Sequence, residues 1–500
     1  MTTPLAKQLF RTSISRYELT AFFIGMSVLT FELAAARIIA PYLGDTIYTW
    51  TSIIGIILTA LALGYAFGGI LADKRKQASD IVLLLLGGAL MIAATNILKD
   101  SVLLWLTDWQ LPLQVEALFA SIALFALPTF LLGSISPYLA RLSIESVATS
   151  GRRLSRIDAA STVGSLVGTF MTGYWLFGVV GTQHLLAYLA GGLVLVSLLM
   201  LTKKYWYLQL GMFIFIIVLG FLSPKPMLSG FVDEINTAYS RVIIRDVPLN
   251  NAQVRVYQTD RNGLQSGVYI DGTQGQPFSY IRGFSYASQL RPDASKYLII
   301  GGGAFTFPEY LARQEPRAKV DTVEIDEQLP VISKQYFNFK QPQNLKIIAA
   351  DGRTYLNENH SGYAMIFLDA FSATVPPFQL LSQQAVARMA SATDKDGIVV
   401  VNIISAVEGQ QSNMIRYVAN TFGSQFAHVG VYPVAPVYDR AVKQNLMLIA
   451  SKQPLTRERL QAVTSSHREF SVMIRDQIQL PLQKDAILTD DFAPVEQFAL

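Results

Sequence analysis

The sequence predicts two parts of different kind: an N-terminal polytopic α-helical membrane domain and a C-terminal α/β domain preceded by a small antiparallel β unit. Three observations carry this. Charge is scarce and uneven: 15% of the 500 residues are charged and 51% are hydrophobic, against about 25% charged in an ordinary soluble chain. Residues 1–222 hold 14 Lys/Arg and 10 Asp/Glu, whereas residues 223–500 hold 26 of each. Apolar runs of membrane-crossing length occur in the first part, and from Arg241 onward short apolar runs alternate with helical patterns. The expected division is a membrane domain at 1–222, a linker at 223–236 opened by Pro224 and Pro226, a β unit at 237–290 and the α/β domain at 291–500.

A bilayer-crossing helix takes about 20 mostly apolar residues. Seven runs qualify: Leu19–Ala40, Tyr48–Leu71, Ile81–Leu98, Leu113–Leu139, Ala159–Val180, Leu185–Leu201 and Tyr205–Leu222. The first is too long, and too closely followed by others, to be a cleavable signal. Pro128 predicts a kink in the fourth. Gly64, Gly68, Gly164 and Gly168 suit close helix approach in lipid. Glu32 and Arg37 lie inside the first run, where partners on neighbouring helices are expected to fix packing.

Loop charge sets the expected orientation. Lys7, Arg11 and Arg16, then Lys74–Lys76, then Arg141, Arg152, Arg153 and Arg156, then Lys203 and Lys204 fall on alternate loops. The positive-inside rule places the N-terminus in the cytoplasm of a bacterial-type inner membrane, with the lipid bilayer as partner. Seven spans then send the C-terminal part outside, while its chemistry calls for the inside. The sequence leaves that side open. The net charge of +4 comes from the membrane part, which argues for positive loops and against nucleic acid as a partner. There is no cysteine, which excludes disulfides, thiolate catalysis and Cys-ligated metals.

In the C-terminal part, Arg241–Arg245, Gln253–Gln258 and Gly267–Ile270 read as strands of the small β unit, with Asp271-Gly272 as a turn. Lys296–Ile300 reads as a buried strand ending in Gly301-Gly302-Gly303, and Pro308 suits the first turn of the following helix. Lys319–Val323 ends in Glu324-Ile325-Asp326 and is followed by a helix over Gln328–Tyr336. Leu345–Ala349 ends at Asp351-Gly352, and Met365–Leu368 ends at Asp369. Gln383–Met389 supplies a helix and Gly397–Asn402 a fifth strand, and His428–Tyr432 and Leu446–Ala450 close the sheet as an antiparallel pair.

Ligands of a doubly wound sheet bind beyond the carboxyl ends of its strands, where these residues fall. Gly301 and Gly303 let the backbone approach a ligand. Glu324 stands where an acid bonds ribose hydroxyls. Asp351 can accept from an adenine amine, and Asp369 is placed as a general base or counter-charge. Thr306 occupies the third glycine of the dinucleotide fingerprint, which disfavours a pyrophosphate cofactor. A nucleoside without phosphates fits, above all S-adenosylmethionine or a relative.

Tyr297–Phe337, with Gly301-Gly302-Gly303-Ala304 and Val323-Glu324-Ile325-Asp326, resembles the spermidine synthase (polyamine aminopropyltransferase) family. Ala370–Pro377, Leu488–Glu496, Gln265-Ser266 and the Glu32-Leu33…Arg37 stretch resemble its membrane-fused branch. The resemblance implies a Rossmann-like fold of the S-adenosylmethionine-dependent transferase type. It implies decarboxylated S-adenosylmethionine as co-substrate without a metal, and a small-molecule amine such as putrescine as acceptor, and it allows for a homodimer. Carried over, Glu324 binds ribose, Asp351 the adenine, and Asp369 takes the nucleophile's proton. Gln265 and Tyr280 or Tyr286 line the donor and amine pockets. The chain departs from the family in three places: Ala304 replaces an Asp that meets the donor's amine, the segment after Asp369 lacks a second Asp, and Tyr286-Ala287-Ser288 lacks the Glu of a Tyr-x-Glu motif. Asp490, Asp491 and Glu496 supply replacement carboxylates if the C-terminal tail folds over the crevice. Without the donor-amine Asp, a methyltransferase using S-adenosylmethionine is a second reading, and a non-catalytic polyamine- or nucleoside-binding module coupled to the membrane domain is a third.

Overall fold

The computed structural model describes residues 14–109, 111–144, 150–200, 205–221, 229–249, 251–259, 263–370, 376–437, 439–480 and 486–498. The chain divides into two compact units, Met1–Pro226 and Met227–Leu500.

The first unit is a helical bundle. Its helices are α1 (Arg16–Leu43), α2 (Ile47–Arg75), α3 (Ala78–Thr107), α4 (Leu113–Ser143), α5 (Ser150–Met171), α6 (Thr182–Ser197) and α7 (Trp206–Phe221). Ser15 opens α1 with a capping box, its hydroxyl accepting from the Glu18 N–H while the Glu18 carboxylate accepts from the Ser15 N–H. α1 to α4 are long and apolar enough to cross a membrane. α5 is long, but its first turns carry Arg152, Arg153, Arg156 and Asp158, and α6 and α7 have 16 residues each. Lys203 and Lys204 lie outside the described residues.

Pro128 leaves α4 helical but is preceded by a π turn at Ile122–Ala126. The wider turn makes room for a ring that has no N–H and would press on the carbonyl four residues back. Glycine sets the closest helix contacts. A Cβ on Gly164 of α5 would stand 1.9 Å from the Phe22 carbonyl oxygen of α1, and one on Gly68 of α2 would stand 2.0 Å from the Ser134 carbonyl oxygen of α4. Backbones therefore meet directly along both pairs, the packing that lipid favours when burial itself gives little drive. Charges are tied between helices: Arg156 to Glu18 at 2.7 Å, and Asp80 to both Arg75 at 3.2 Å and the Tyr138 hydroxyl at 2.8 Å. The Arg37 guanidinium sits 4.1 Å from the Phe177 ring centroid, so a cation–π contact holds it inside the unit.

The second unit opens with an antiparallel sheet, β1 (Phe231–Asn236), β2 (Arg241–Leu249), β3 (Ala252–Gln258) and β4 (Ser266–Tyr269), paired in that order. Helix α8 (Ser279–Ser288) follows. Then come β5 (Lys296–Ile300), α9 (Thr306–Gln314), β6 (Lys319–Glu324), α10 (Leu329–Tyr336), β7 (Leu345–Ala349), α11 (Gly352–Asn357), β8 (Tyr363–Leu368), α12 (Gln383–Ala392), β9 (Thr393–Ser405), α13 (Asn413–Gly423), β10 (His428–Pro433), β11 (Gln444–Ser451), α14 (Arg457–Ser466), α15 (Arg468–Arg475) and α16 (Val495–Phe498).

The seven strands of the second sheet lie in the order β10-β11-β9-β8-β5-β6-β7. β5 to β9 are parallel, and β11 runs antiparallel beside β9 and β10. This mixed sheet is the Rossmann-like fold expected from the alternation of short buried strands and helices. One face packs on α8, α9, α10, α14 and α15 through Phe284, Phe307, Leu311, Ile332, Phe470 and Met473. The other packs on α11, α12 and α13 through Leu356, Val386, Met389, Ile415 and Val418. The chain turns left from β5 to β6 and β7, then returns to the right with β8, so β5 and β8 are neighbours at the switch point. A crevice opens beyond their carboxyl ends.

Candidate active site

Gly301 follows β5 with φ +97°, and a Cβ there would lie 2.4 Å from the Asp369 carbonyl oxygen. Both facts require glycine: the backbone is left-handed and the neighbouring strand end leaves no room. The Asp369 N–H donates to the Ile300 carbonyl at 2.8 Å, continuing the ladder and fixing the floor of the crevice.

Glu324 ends β6 and turns back over this floor. Its carboxylate accepts from the Gly302 N–H at 2.7 Å and the Asp326 N–H at 2.9 Å. Burial pushes its carboxyl above the usual range, and the two N–H groups pull against that shift. It therefore holds the glycine turn in shape while keeping lone pairs for a ligand hydroxyl. Asp351 caps α11, accepting from the Thr354 N–H at 2.8 Å, and remains exposed at the rim.

Asp369 continues β8 with its side chain on the α8 face. Its carboxyl is pushed up to about 8, chiefly by burial and further by the nearby Glu324 charge, while the Asn402 amide opposes the shift. The Asn402 Nδ2 lies 3.4 Å from Asp369 Oδ1. Asn402 is buried in β9, and its Oδ1 has no partner among the described residues. A buried acceptor left open beside a half-buried carboxylate suits a ligand N–H, since an unmet buried acceptor costs about 1–3 kcal/mol. Sequence reading missed Asn402. Its signal was a lone amide inside the apolar run Val399-Val400-Val401-Asn402-Ile403-Ile404.

Tyr280 on α8 is buried on the same face. Its hydroxyl donates to the Gln265 carbonyl oxygen, joining α8 to the β unit. Burial, and after it the Asp369 charge, holds the phenol well above its ordinary value. The Gln265 side chain accepts from the Thr259 hydroxyl at 2.8 Å, and the Ser266 hydroxyl meets that of Thr306 at 3.1 Å, beside Gly303. The β unit thus covers the glycine turn. Gly301, Glu324, Asp369, Asn402 and Tyr280 come together.

Other candidate residues are engaged elsewhere. The Tyr286 hydroxyl donates to Glu469 at 2.9 Å, Arg282 donates to the same oxygen at 2.9 Å, and the Tyr286 ring stacks on His467 at 4.7 Å. Asp490 accepts from Arg353 at 2.7 Å and from the Ser382 hydroxyl at 2.5 Å. Leu488, Val495 and Phe498 anchor the tail in the core. The tail therefore lies along the N-terminal ends of α11 and α12, at the carboxyl edge of the sheet, with its first acid spent on Arg353. Asp491 is exposed. Phe371–Val375, in the run after Asp369, lie outside the described residues.

With this geometry in view, the comparisons are decisive for the family of this half. Residues 284–459 match the model of the spermine/spermidine synthase domain. The C-terminal half carries a spermine/spermidine synthase domain. A probable polyamine aminopropyl transferase of Bifidobacterium longum (strain NCC 2705) is 28% identical over 226 residues, covering 42% of this chain. The chain spans 50% of that relative's length. A polyamine aminopropyltransferase of Vibrio vulnificus (strain CMCP6) is 25% identical over 226 residues, covering 43% of this chain and 74% of the relative. Among solved structures, a probable spermidine synthase from Corynebacterium glutamicum ATCC 13032 aligns over 49% of this chain and 87% of its own, with 20% identity and a TM-score of 0.40.

Proposed function

We propose that this protein is a membrane-anchored aminopropyltransferase that moves an aminopropyl group from decarboxylated S-adenosylmethionine to an amine, putrescine being the acceptor the resemblance implies. The observation that carries the reading is the convergence of Glu324, Asp369 and Asn402 at the switch point, inside the segment that matches the spermine/spermidine synthase domain. The four long apolar helices support the anchoring.

The roles follow from the geometry. Glu324 takes ribose hydroxyls while its N–H bonds hold the glycine turn, and Asp351 faces the adenine at the rim. The acceptor nitrogen attacks the carbon beside the sulfonium. A C–N bond forms, the C–S bond breaks, and its electron pair leaves with methylthioadenosine. The proton released by the nitrogen passes to the Asp369 carboxylate. A cationic sulfonium beside Asp369 favours its ionised form, so donor binding prepares the base. Asn402 holds the carboxylate and offers Oδ1 to the second N–H of the amine. Fixed geometry of this kind supplies much of the rate of a displacement reaction.

Calorimetry of the detergent-solubilised protein tests the reading. Decarboxylated S-adenosylmethionine and methylthioadenosine are expected to bind more tightly than S-adenosylmethionine. Preference for S-adenosylmethionine would turn the reading toward methyl transfer, which the uncharged, buried Ala304 permits. Absence of nucleoside binding would sink both.

A further inference from the structure

The two halves of the crevice differ in charge, and the difference bears on what the acceptor is. The donor half lies over β5, β6 and β7, where Glu324 and Asp351 stand. The other half lies over β8, β9 and β11. Asn402 pairs with Met447 across the β9–β11 ladder, and Gln444 pairs with Ser405 at its end. Met447 and Ile449 face α8, and a Cβ on Gly283 of α8 would lie 2.5 Å from the Met447 methyl. By the two-residue period of a strand, Asn445 lies on this face, and Lys443, just before β11, continues the same register. Running outward from Asp369, the face therefore presents Asn402, Asn445 and Lys443. Lys443 is half-buried, and burial holds its ammonium below the ordinary value.

The acids near this half are committed elsewhere. Glu408 pairs with Arg440. Asp439 accepts from the Ala441 N–H at 2.9 Å within its own turn. Glu469 takes Arg282 and Tyr286. The run Phe371–Val375 contains no acid. Asp369 is left as the carboxylate that meets the reacting nitrogen. A second ammonium several bonds further along would be desolvated beside a lysine without a carboxylate to pair it, an arrangement that costs far more than it returns.

Resting on the aminopropyltransferase reading, we infer that the acceptor is a primary amine whose far end carries no positive charge, and that Lys443 sets this selectivity. An uncharged or anionic far end leaves the lysine unopposed or pairs it. A diamine places like charges together in a partly dry site.

The test measures amine binding to full-length, detergent-solubilised protein saturated with methylthioadenosine. The probes are 1-aminobutane, 4-aminobutanoate and 1,4-diaminobutane, which share a four-carbon span. At least one of the first two is expected to bind tenfold or more tightly than the diamine. Lys443→Met is expected to reduce that ratio toward one, and Lys443→Glu to reverse it. Methylthioadenosine binding by each variant shows that its domain is folded. Wild-type preference for the diamine, or a ratio untouched by both substitutions, overturns the inference while leaving the transferase reading in place. The same holds if the nucleoside binds and no amine does. Failure of the wild-type protein to bind methylthioadenosine removes the transferase reading itself, and the inference with it.

Discussion

Asp369 has to lose a proton before it can take one, and its surroundings resist that loss. The folded carboxyl titrates near 8 against an ordinary value of 3.8, with burial as the main cause. For a carboxyl raised in this way, the unfolded chain releases its proton first, so stability falls as pH rises from about 4 to about 8. Denaturant titrations of the nucleoside-free protein should show that decline, and Asp369→Asn should remove this residue's share of it. In catalysis the same shift predicts a rising limb of kcat/KM near pH 8. Asn402→Ala, which removes the amide that favours the ionised form, should move the limb upward. Asp369→Asn should slow transfer by about 10²–10⁴-fold, the usual worth of a positioned base. Retention of nearly full activity would reduce Asp369 to a counter-ion. Glu324→Ala should act differently. It removes ribose contacts and orphans the Gly302 and Asp326 N–H groups, so methylthioadenosine affinity should drop by about 1–3 kcal/mol. Unchanged affinity in that variant would dissociate Glu324 from the donor.

At the scale of elements, what could be read locally was legible, and what depended on distant partners was not. β5 to β9 announced themselves because each buried strand ends in a glycine, an acid or a polar turn that a short window captures. β1 went unread: Asp233 and Glu234 sit in its middle, and its pairing with β2 makes it a strand. The roles of Tyr286 and Asp490 were equally hidden, since Glu469 and Arg353 lie 183 and 137 residues away in sequence. Asn402 acquires meaning when β9 is placed beside β8, a pairing that a linear reading does not contain. In the helical unit the glycines were visible, but not which helix each one meets. The contact of Gly164 with the Phe22 carbonyl gives a specific expectation. Gly164→Leu must force α1 and α5 apart, whereas a leucine at Gly173, where a Cβ would meet nothing within 4 Å, has room. Thermal unfolding in detergent should fall markedly for the first variant and little for the second. Equal effects would mean that the α1–α5 contact does not hold the bundle together.

At the scale of the whole chain, the open issue is which side of a membrane the transferase domain occupies. Basic loops on alternate sides favour a cytoplasmic N-terminus. Seven crossings would then place residues 229–498 outside, but α6 and α7 have 16 residues each, near the lower limit for a span. An even number of crossings returns the domain to the side of the N-terminus, where an adenosyl sulfonium donor is made. The absence of native cysteine makes the test clean. Single cysteines at the exposed positions Ser229 and Ser361, with exposed Gln77 in the basic turn between α2 and α3 as the inside control, can be probed in intact cells with an impermeant maleimide. The transferase reading expects all three to be protected until the cells are opened. Labelling of Ser229 and Ser361 sites with protection of the Gln77 site would place the domain outside. The protein would then lack access to a cytoplasmic donor, and the same crevice would have to serve as an extracytoplasmic amine- or nucleoside-binding site. In that case nucleoside binding would persist in the purified protein while Asp369→Asn changed no rate in cells. The two topologies are thus separable by labelling and by the consequence each carries for one carboxylate.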